Sequence, residues 1–240
     1  MAFMDILPDP IRKIKDSGVQ DNSTGNAGPG FVTVKLGSNM PTTMTRTNGG
    51  RVVLRGLATH NWDIDITYNQ LTRAEFEPVY SFLLSRQGIL QPFYVILPQY
   101  ELPRDPVFSA KVLSSPASID VVNAVASGAT NMIITYTGSG IPKPGDIFTI
   151  TDQYNTNHVK AYMITRTETS TDYNTVIDAG DANKKRIHFT PPLTYTVPST
   201  ATLKFDYPKF RVTPKAEVQE YSLGVNGLYQ FNLSLEEALP

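Results

Sequence analysis

The sequence predicts a mainly β protein: a barrel or sandwich with one flanking helix, carrying a second, smaller β-barrel as an insertion. Three observations predict it. Trp62-Asp-Ile-Asp-Ile-Thr-Tyr68 alternates strictly, with Trp62, Ile64, Ile66 and Tyr68 on one face and Asp63, Asp65 and Thr67 on the other. Period-2 alternation of this kind marks a half-buried antiparallel strand. The same pattern returns near the C-terminus, where Tyr229, Phe231, Leu233 and Leu235 are interleaved with Gln230, Asn232 and Ser234. Finally, the 240 residues are 40% hydrophobic and 18% charged, with many Thr, Asn, Pro and Gly, a balance that suits strands and turns better than a helical bundle.

Each element follows from its own residues. Residues 2–15 are expected to form a short amphipathic helix, with Pro10 in its first turn, Ile11 and Ile14 on one side, and Arg12, Lys13 and Lys15 exposed. Residues 17–30, rich in Gly, Asn, Ser and Asp, read as a flexible linker or arm. Such an arm either stays disordered or orders against a neighbouring subunit. Phe31-Val-Thr-Val-Lys-Leu36 is the first strand, and the polar stretch 37–50 closes with Asn48-Gly49-Gly50. Asn-Gly favours turns with φ > 0, so this is the tip of a long hairpin. Its return leg begins at Arg51-Val-Val-Leu-Arg55.

After Tyr68 comes the long helical signal. Thr72 with Glu75 makes a capping box, and Leu71 staples onto Phe76. Phe76, Val79, Tyr80 and Leu83 form one apolar stripe that ends near Gly88. Pro78 lies near the first turn and tightens it. The strand Phe93-Tyr-Val-Ile-Leu97 follows, stopped by Pro98.

Pro103 and Pro106 then mark a link between domains, and the character of the chain changes. From Phe108 to about Tyr207 short strands are expected at 131–136, 146–150, 158–164, 186–189 and 201–205, with no helix longer than a turn. Regular strand spacing between turn signals suggests a small barrel or sandwich. Pro142-Lys-Pro-Gly-Asp146 supplies a tight turn with Gly145 at φ > 0. The first pattern resumes at Phe210, and 218–223 pairs with the strand from Tyr229 through Gly224-Val-Asn-Gly227. The expected organisation is an N-terminal arm over 1–30, a β domain from 31–105 and 208–240, and an insertion at 106–207.

A net charge of −1 calls for neither nucleic acid nor an anionic membrane as a partner. The chain has no cysteine, which removes disulfides, thiolate metal sites and cysteine nucleophiles together. No apolar run approaches the roughly 18 residues needed to span a bilayer. Met1-Ala-Phe-Met-Asp-Ile-Leu-Pro8 lacks the basic start and apolar centre of a signal peptide. Neither export nor a membrane is expected.

Catalytic constellations are equally scarce. There is no Gly-x-Ser-x-Gly and no His-Glu-x-x-His, and His60, His158 and His188 read as ordinary structural imidazoles. Asp63 and Asp65 share a strand face roughly 6–7 Å apart. They read as a solvated polar face, as the lining of a channel in a stacked ring, or as the carboxylate pair of a retaining glycosidase. Asp178-Ala-Gly-Asp-Ala-Asn183 resembles half of a calcium loop, but its twelfth place is Phe189, so it reads as a polar hairpin tip. Lys184-Lys-Arg186 is too small a patch to argue for nucleic acid, and Gly25-Asn-Ala-Gly-Pro-Gly30 lacks the helix and Lys-Ser/Thr of a phosphate loop. No catalytic residue, cofactor or metal is expected. Tyr154, Tyr162, Tyr173 and Tyr195 remain as candidates for contact with a protein surface or a glycan, through flat stacking surfaces.

The order from Trp62 to Pro98 is a Trp-x-hydrophobic strand, a Thr-x-x-Glu-Phe helix ending in Gly, then a Phe-x-hydrophobic-Pro strand. It resembles the distal tail and minor tail proteins of long-tailed bacteriophages, the family of the lambda minor tail protein M. Tyr221-Ser-Leu-Gly-Val-Asn-Gly-Leu-Tyr-Gln-Phe-Asn-Leu-Ser-Leu-Glu-Glu237 is similar to the closing strands of the same proteins. The resemblance covers roughly residues 31–105 and 208–237, and the chain departs from short members of the family in its insertion and its arm. It implies a tail-tube-like β domain in a non-enzymatic virion protein of the tail tip or baseplate, assembled in the host cytoplasm. That protein would form a ring of six copies, stacked on the tail tube, with DNA only as passing cargo. The hairpin would extend over the next protomer, Asp63 and Asp65 would face the lumen, and the insertion would hold fibre or baseplate proteins. The alternatives are a carbohydrate-binding module using the insertion's tyrosines, and a glycan hydrolase using Asp63 and Asp65.

Overall fold

A computed structural model describes residues 3–56, 59–114, 119–173 and 181–239. Along the chain run β1 (Thr33–Asn39), β2 (Thr42–Arg46), β3 (Val52–Gly56), β4 (Asn61–Thr67), α1 (Arg73–Ser85) and β5 (Phe93–Ile96). Next come α2 (Pro106–Ser114), β6 (Asp120–Val121), β7 (Asn131–Thr135), β8 (Ile147–Thr151), β9 (Ala161–Thr169), α3 (Ser170–Tyr173), β10 (Lys184–Thr190) and β11 (Thr202–Lys204). The last strands are β12 (Lys209–Pro214), β13 (Ser222–Leu223), β14 (Tyr229–Gln230) and β15 (Asn232–Glu237). The fold is mainly β. It divides into two compact units, one of residues up to 95 together with 211–239, the other of 96–210.

The first unit is built on a five-stranded sheet in the order β1-β4-β15-β12-β5. The alternation in β4 and β15 sets its register: Leu36 on β1 and Leu235 on β15 both lie opposite Ile64. Trp62, Ile64, Ile66, Leu233 and Leu235 are all buried. A one-residue slip would turn every one of them to solvent, so the pattern fixes the pairing.

Helix α1 starts as the sequence predicts. The Glu75 carboxylate accepts the Thr72 N–H at 2.9 Å and the Thr72 hydroxyl at 2.7 Å, and beyond the helix end Gly88 takes φ +69°. The helix runs on through Pro78 and buries Phe76, Val79, Phe82 and Leu83. Phe76 stacks on Tyr229 with centroids 4.5 Å apart, and Phe82 meets Phe93 of β5 edge-on at 5.4 Å.

The helix expected over 2–15 is replaced by irregular chain over the described residues 3–15. Pro8 and Pro10 withhold the N–H groups a helix needs. Asp9 instead accepts the N–H groups of Ile11 at 2.8 Å and Arg12 at 2.7 Å, closing a turn. Single bridges join Phe3 to Val19 and Ile14 to Gln20 and Asn26, and Ile6 runs parallel to Tyr94 of β5. Met4, Ile6, Leu7 and Ile14 are thereby buried.

Beyond β1 and β4 the chain forms the ribbon β2–β3, paired from Thr42↔Gly56 to Arg46↔Val52. The tip closes with Gly50 at φ +80°, at the Asn-Gly-Gly the sequence points to. Met44, Arg46, Val52 and Leu54 occupy one face of the ribbon; Thr43, Thr45, Val53 and Arg55 occupy the other. Both faces are exposed, and Leu54 keeps 68% of its surface.

The second unit is a closed barrel in the order β10-β7-β6-β11-β8-β9. Phe148, Tyr162, Phe189 and Phe205 meet in its interior with centroids 5.4 to 5.6 Å apart. Gly145 takes φ +95° in the turn at Pro142–Asp146, and the Asp146 carboxylate accepts the N–H of Lys143 at 2.7 Å and of Arg104 at 2.9 Å. Two expectations fail here. The strand expected from His158 begins only at Ala161. Helix α2, nine residues long, stands where no helix longer than a turn is expected. Asp105 accepts the N–H groups of Val107 at 2.9 Å and Phe108 at 3.1 Å, so Asp105-Pro106 opens a helix instead of breaking one.

Candidate assembly interface

The first unit's sheet has one polar face. On it Asp65 lies between Lys35 of β1 and Ser234 of β15, and Asp63 lies between Gly37 and Glu236. Lys215 Nζ reaches Asp63 at 3.0 Å. Both aspartates are half-buried, and the surrounding cations and carboxylates make a mixed, mildly acidic surface. Among the described residues no group of three or more His, Cys, Asp or Glu is placed to hold a metal ion. No described helix is long and apolar enough to cross a membrane.

The four tyrosines do not form one platform. Tyr154 stands out with 76% of its surface exposed. Tyr173 is half-buried beneath the Arg186 guanidinium, 4.5 Å from its ring centre. Tyr195 is half-buried beside the His158 ring at 5.8 Å. Tyr162 belongs to the barrel core: two-residue spacing with Ile164 points it inward, and burial leaves it no contact surface.

Its hydroxyl lies 2.9 Å from His158 Nε2 and 3.2 Å from Thr194 Oγ1. Burial pushes the His158 pKa down to about 4, against a smaller upward pull from Asp152. His60 is buried, 3.0 Å from the Ser38 hydroxyl and edge-on to Trp62 at 4.6 Å. His188 lies 3.3 Å from Glu168 and accepts from Arg166 at 3.1 Å. Residues 178–180 of the calcium-like segment lie outside the described residues. Within the remainder, Asp181 accepts the Asn183 N–H at 3.0 Å, as a polar turn does.

Two further features are the exposed ribbon β2–β3 and a groove of about 1070 Å³ between residues 3–27 and α1, with Phe3 and Leu84 exposed beside it. The ribbon has a sequence signal, since Met44, Val52 and Leu54 fall on one face once the turn is placed. The groove has none, because irregular chain forms one of its walls.

Residues 20–100 match the family model described as distal tail protein pb9, A domain, N-terminal. No curated protein matches the chain. The matched segment runs from the irregular N-terminal chain through the ribbon, β4 and α1 to the end of β5. Over that segment the chain is similar to the distal tail proteins of bacteriophages.

Proposed function

We propose that this protein is a structural, non-enzymatic component of the tail tip that closes into a ring of six copies and joins the tail tube to baseplate or fibre proteins. The observation that carries the reading is the ribbon β2–β3, which lies inside the matched segment. A two-stranded ribbon open on both faces has little stability of its own in water. Met44, Val52 and Leu54 are all exposed, and a neighbouring protomer supplies their cover. The free edge of β1 offers unpaired backbone groups on the same side.

In such a ring the polar face bearing Asp63, Asp65 and Glu236 lines the channel. Carboxylates there repel passing DNA phosphates and keep them from sticking. The barrel of the second unit is the part that holds fibre or baseplate proteins, and assembly proceeds in the host cytoplasm. A hydrolase reading of Asp63 is disfavoured by its ion pair with Lys215. A carbohydrate platform is disfavoured by the burial of Tyr162.

The test is the mass of the purified protein by light scattering with negative-stain images, repeated on isolated tails. Six-copy rings with a central hole are expected in solution or on the tail. A monomer in solution together with a single copy per tail would overturn the ring.

A further inference from the structure

We propose that Asn48 is a site of spontaneous covalent modification, where the turn at the tip of the β2–β3 ribbon converts the asparagine to aspartate and isoaspartate with loss of ammonia. The inference needs only this turn and water, and it is independent of the ring reading above.

The reaction is an intramolecular acyl transfer. The Gly49 amide nitrogen gives up its proton and attacks Cγ of the Asn48 side chain. The new C–N bond closes a cyclic imide, the Cγ–Nδ2 bond breaks, and the Gly49 proton leaves with the amide group as ammonia. Water then opens the ring. Attack at Cγ gives aspartate, and attack at the Asn48 main-chain carbonyl gives isoaspartate, which lengthens the backbone by a methylene. Only water is consumed.

The chain has two Asn-Gly dipeptides, Asn48-Gly49 and Asn226-Gly227, and glycine leaves the attacking nitrogen unshielded in both. Three-dimensional structure separates them. The Asn226 amide is held from both ends: Oδ1 accepts the Leu228 N–H at 3.2 Å, and Nδ2 donates to Gln70 Oε1 at 3.3 Å. The Gly227 N–H donates to the Gly224 carbonyl at 2.9 Å. Nucleophile and electrophile are therefore both tied down.

Around Asn48 the hydrogen bonds of the turn bypass the reacting pair. The Thr47 N–H donates to the Arg51 carbonyl at 2.9 Å and the Gly50 N–H to the Thr47 carbonyl at 2.8 Å. The Arg51 N–H donates to the Thr47 hydroxyl at 3.2 Å. Among the described residues neither the Asn48 side chain nor the Gly49 N–H has a hydrogen-bond partner. Both residues are exposed, and nothing lies within 4 Å of the place a Gly49 Cβ would take. Arg46 and Arg51 flank the turn, and from residue 37 to 56 the chain carries these two and Arg55 with no acid. Positive charge there favours the amide anion and the oxyanion through which the reaction passes. The product puts the first carboxylate into that stretch and takes the formal net charge of the chain from −1 to −2.

The test is peptide-mapping mass spectrometry on the full chain, sampled during incubation at neutral to mildly alkaline pH. The Asn48 peptide is expected to gain the mass of an amide-to-acid exchange and to split into aspartate and isoaspartate forms. It should do so on the order of tenfold faster than the Asn226 peptide, whose hydrogen bonds must first be released. In urea that unfolds the chain the two rates should converge, because the fold is what separates them. Gly49 has neither a positive φ nor a neighbour for a Cβ, so Gly49→Ala keeps the turn and should slow conversion at Asn48 by shielding the nitrogen. An Asn48 peptide that stays unchanged, or an Asn226 peptide that converts as fast in the folded protein, would overturn the assignment. A gap that survives in urea would overturn it too, since neighbouring residues and not the turn would then set the rates.

Discussion

Burial decides the chemistry of His158. Its ring is held among barrel side chains with Nε2 on the Tyr162 hydroxyl, and Nδ1 is buried without a hydrogen-bond partner. A protonated ring would need an acceptor at Nδ1 as well, which is why its pKa falls to about 4. The unfolded imidazole titrates near its ordinary value of about 6.5. Between those values the unfolded chain holds a proton that the folded chain refuses, so stability is lost as pH falls from about 6.5 towards 4. The full loss from this one group is about 3 kcal/mol. The melting temperature should therefore drop more steeply between pH 7 and 4.5 in the wild type than in His158→Gln; parallel drops would show that another group governs the acid limb. A backbone position gives a second contrast. Gly140 sits at φ +92°, and a Cβ there would come 2.6 Å from the Phe108 backbone nitrogen. Gly128 has φ +83° with nothing within 4 Å. Gly128→Ala should cost about 1 kcal/mol from conformation alone, whereas Gly140→Ala adds a clash that displaces α2 and should cost about 2 kcal/mol more. Urea titrations of both variants check this, and equal costs would mean that α2 yields freely.

Helix α2 shows how an element escapes a sequence reading. Its buried stripe is only Phe108 and Val112, and Asp105-Pro106 follows Pro103 closely enough to read as a linker. The cap is nonetheless sound. Hydrogen bonds from the Phe108 N–H and its neighbours hold the Asp105 carboxyl below the usual carboxylate range. That contribution is present above the ordinary carboxylate pKa and is lost as pH falls through the depressed one. Asp105→Ala should destabilise the barrel unit by about 1 kcal/mol, while Asp105→Asn should retain most of the cap; equal losses in thermal melts would argue that charge, not hydrogen bonding, matters there. By contrast α1 was legible because three independent signals coincide: the Thr72–Glu75 box, the Phe76–Val79–Leu83 stripe and the stop at Gly88. Strand β4 was legible because each of its core residues recurs at period 2. The false helix at 2–15 arose from reading Ile11 and Ile14 as a stripe while two prolines removed the donors it required. Tyr162 was misplaced because it was read as a loop-side aromatic although it falls within the expected strand 158–164, where its two-residue spacing with Ile164 points it inward. The groove was invisible for a deeper reason: one wall is irregular chain whose path is set by single bridges and no period.

At the scale of the molecule, the proposed ring would draw stability and assembly from different parts of the first unit. Its core is the buried face of β4, β15 and β5 with α1, and the ribbon β2–β3 contributes no buried side chain to it. Asn39 and Asn61 are already cross-strand partners at the base of the ribbon. A three-residue Asn-Gly-His60 loop between them, which keeps the buried His60 beside Ser38 and Trp62, would close β1 to β4 as a short hairpin. The sheet register above that point is fixed by Leu36, Ile64 and Leu235 and does not depend on what lies beyond. The shortened protein should therefore keep its melting temperature within about 3 °C of the wild type, a shift of less than roughly 1 kcal/mol for a chain of this size. It should nevertheless fail to form rings and fail to enter tails, because in the proposed ring the part removed is the part that reaches a neighbour. Ring formation by the shortened protein would place the contact elsewhere, at the free edge of β1 in the first instance. A large loss of stability with no change in assembly would reverse the division of labour and make the ribbon part of the protomer's own fold.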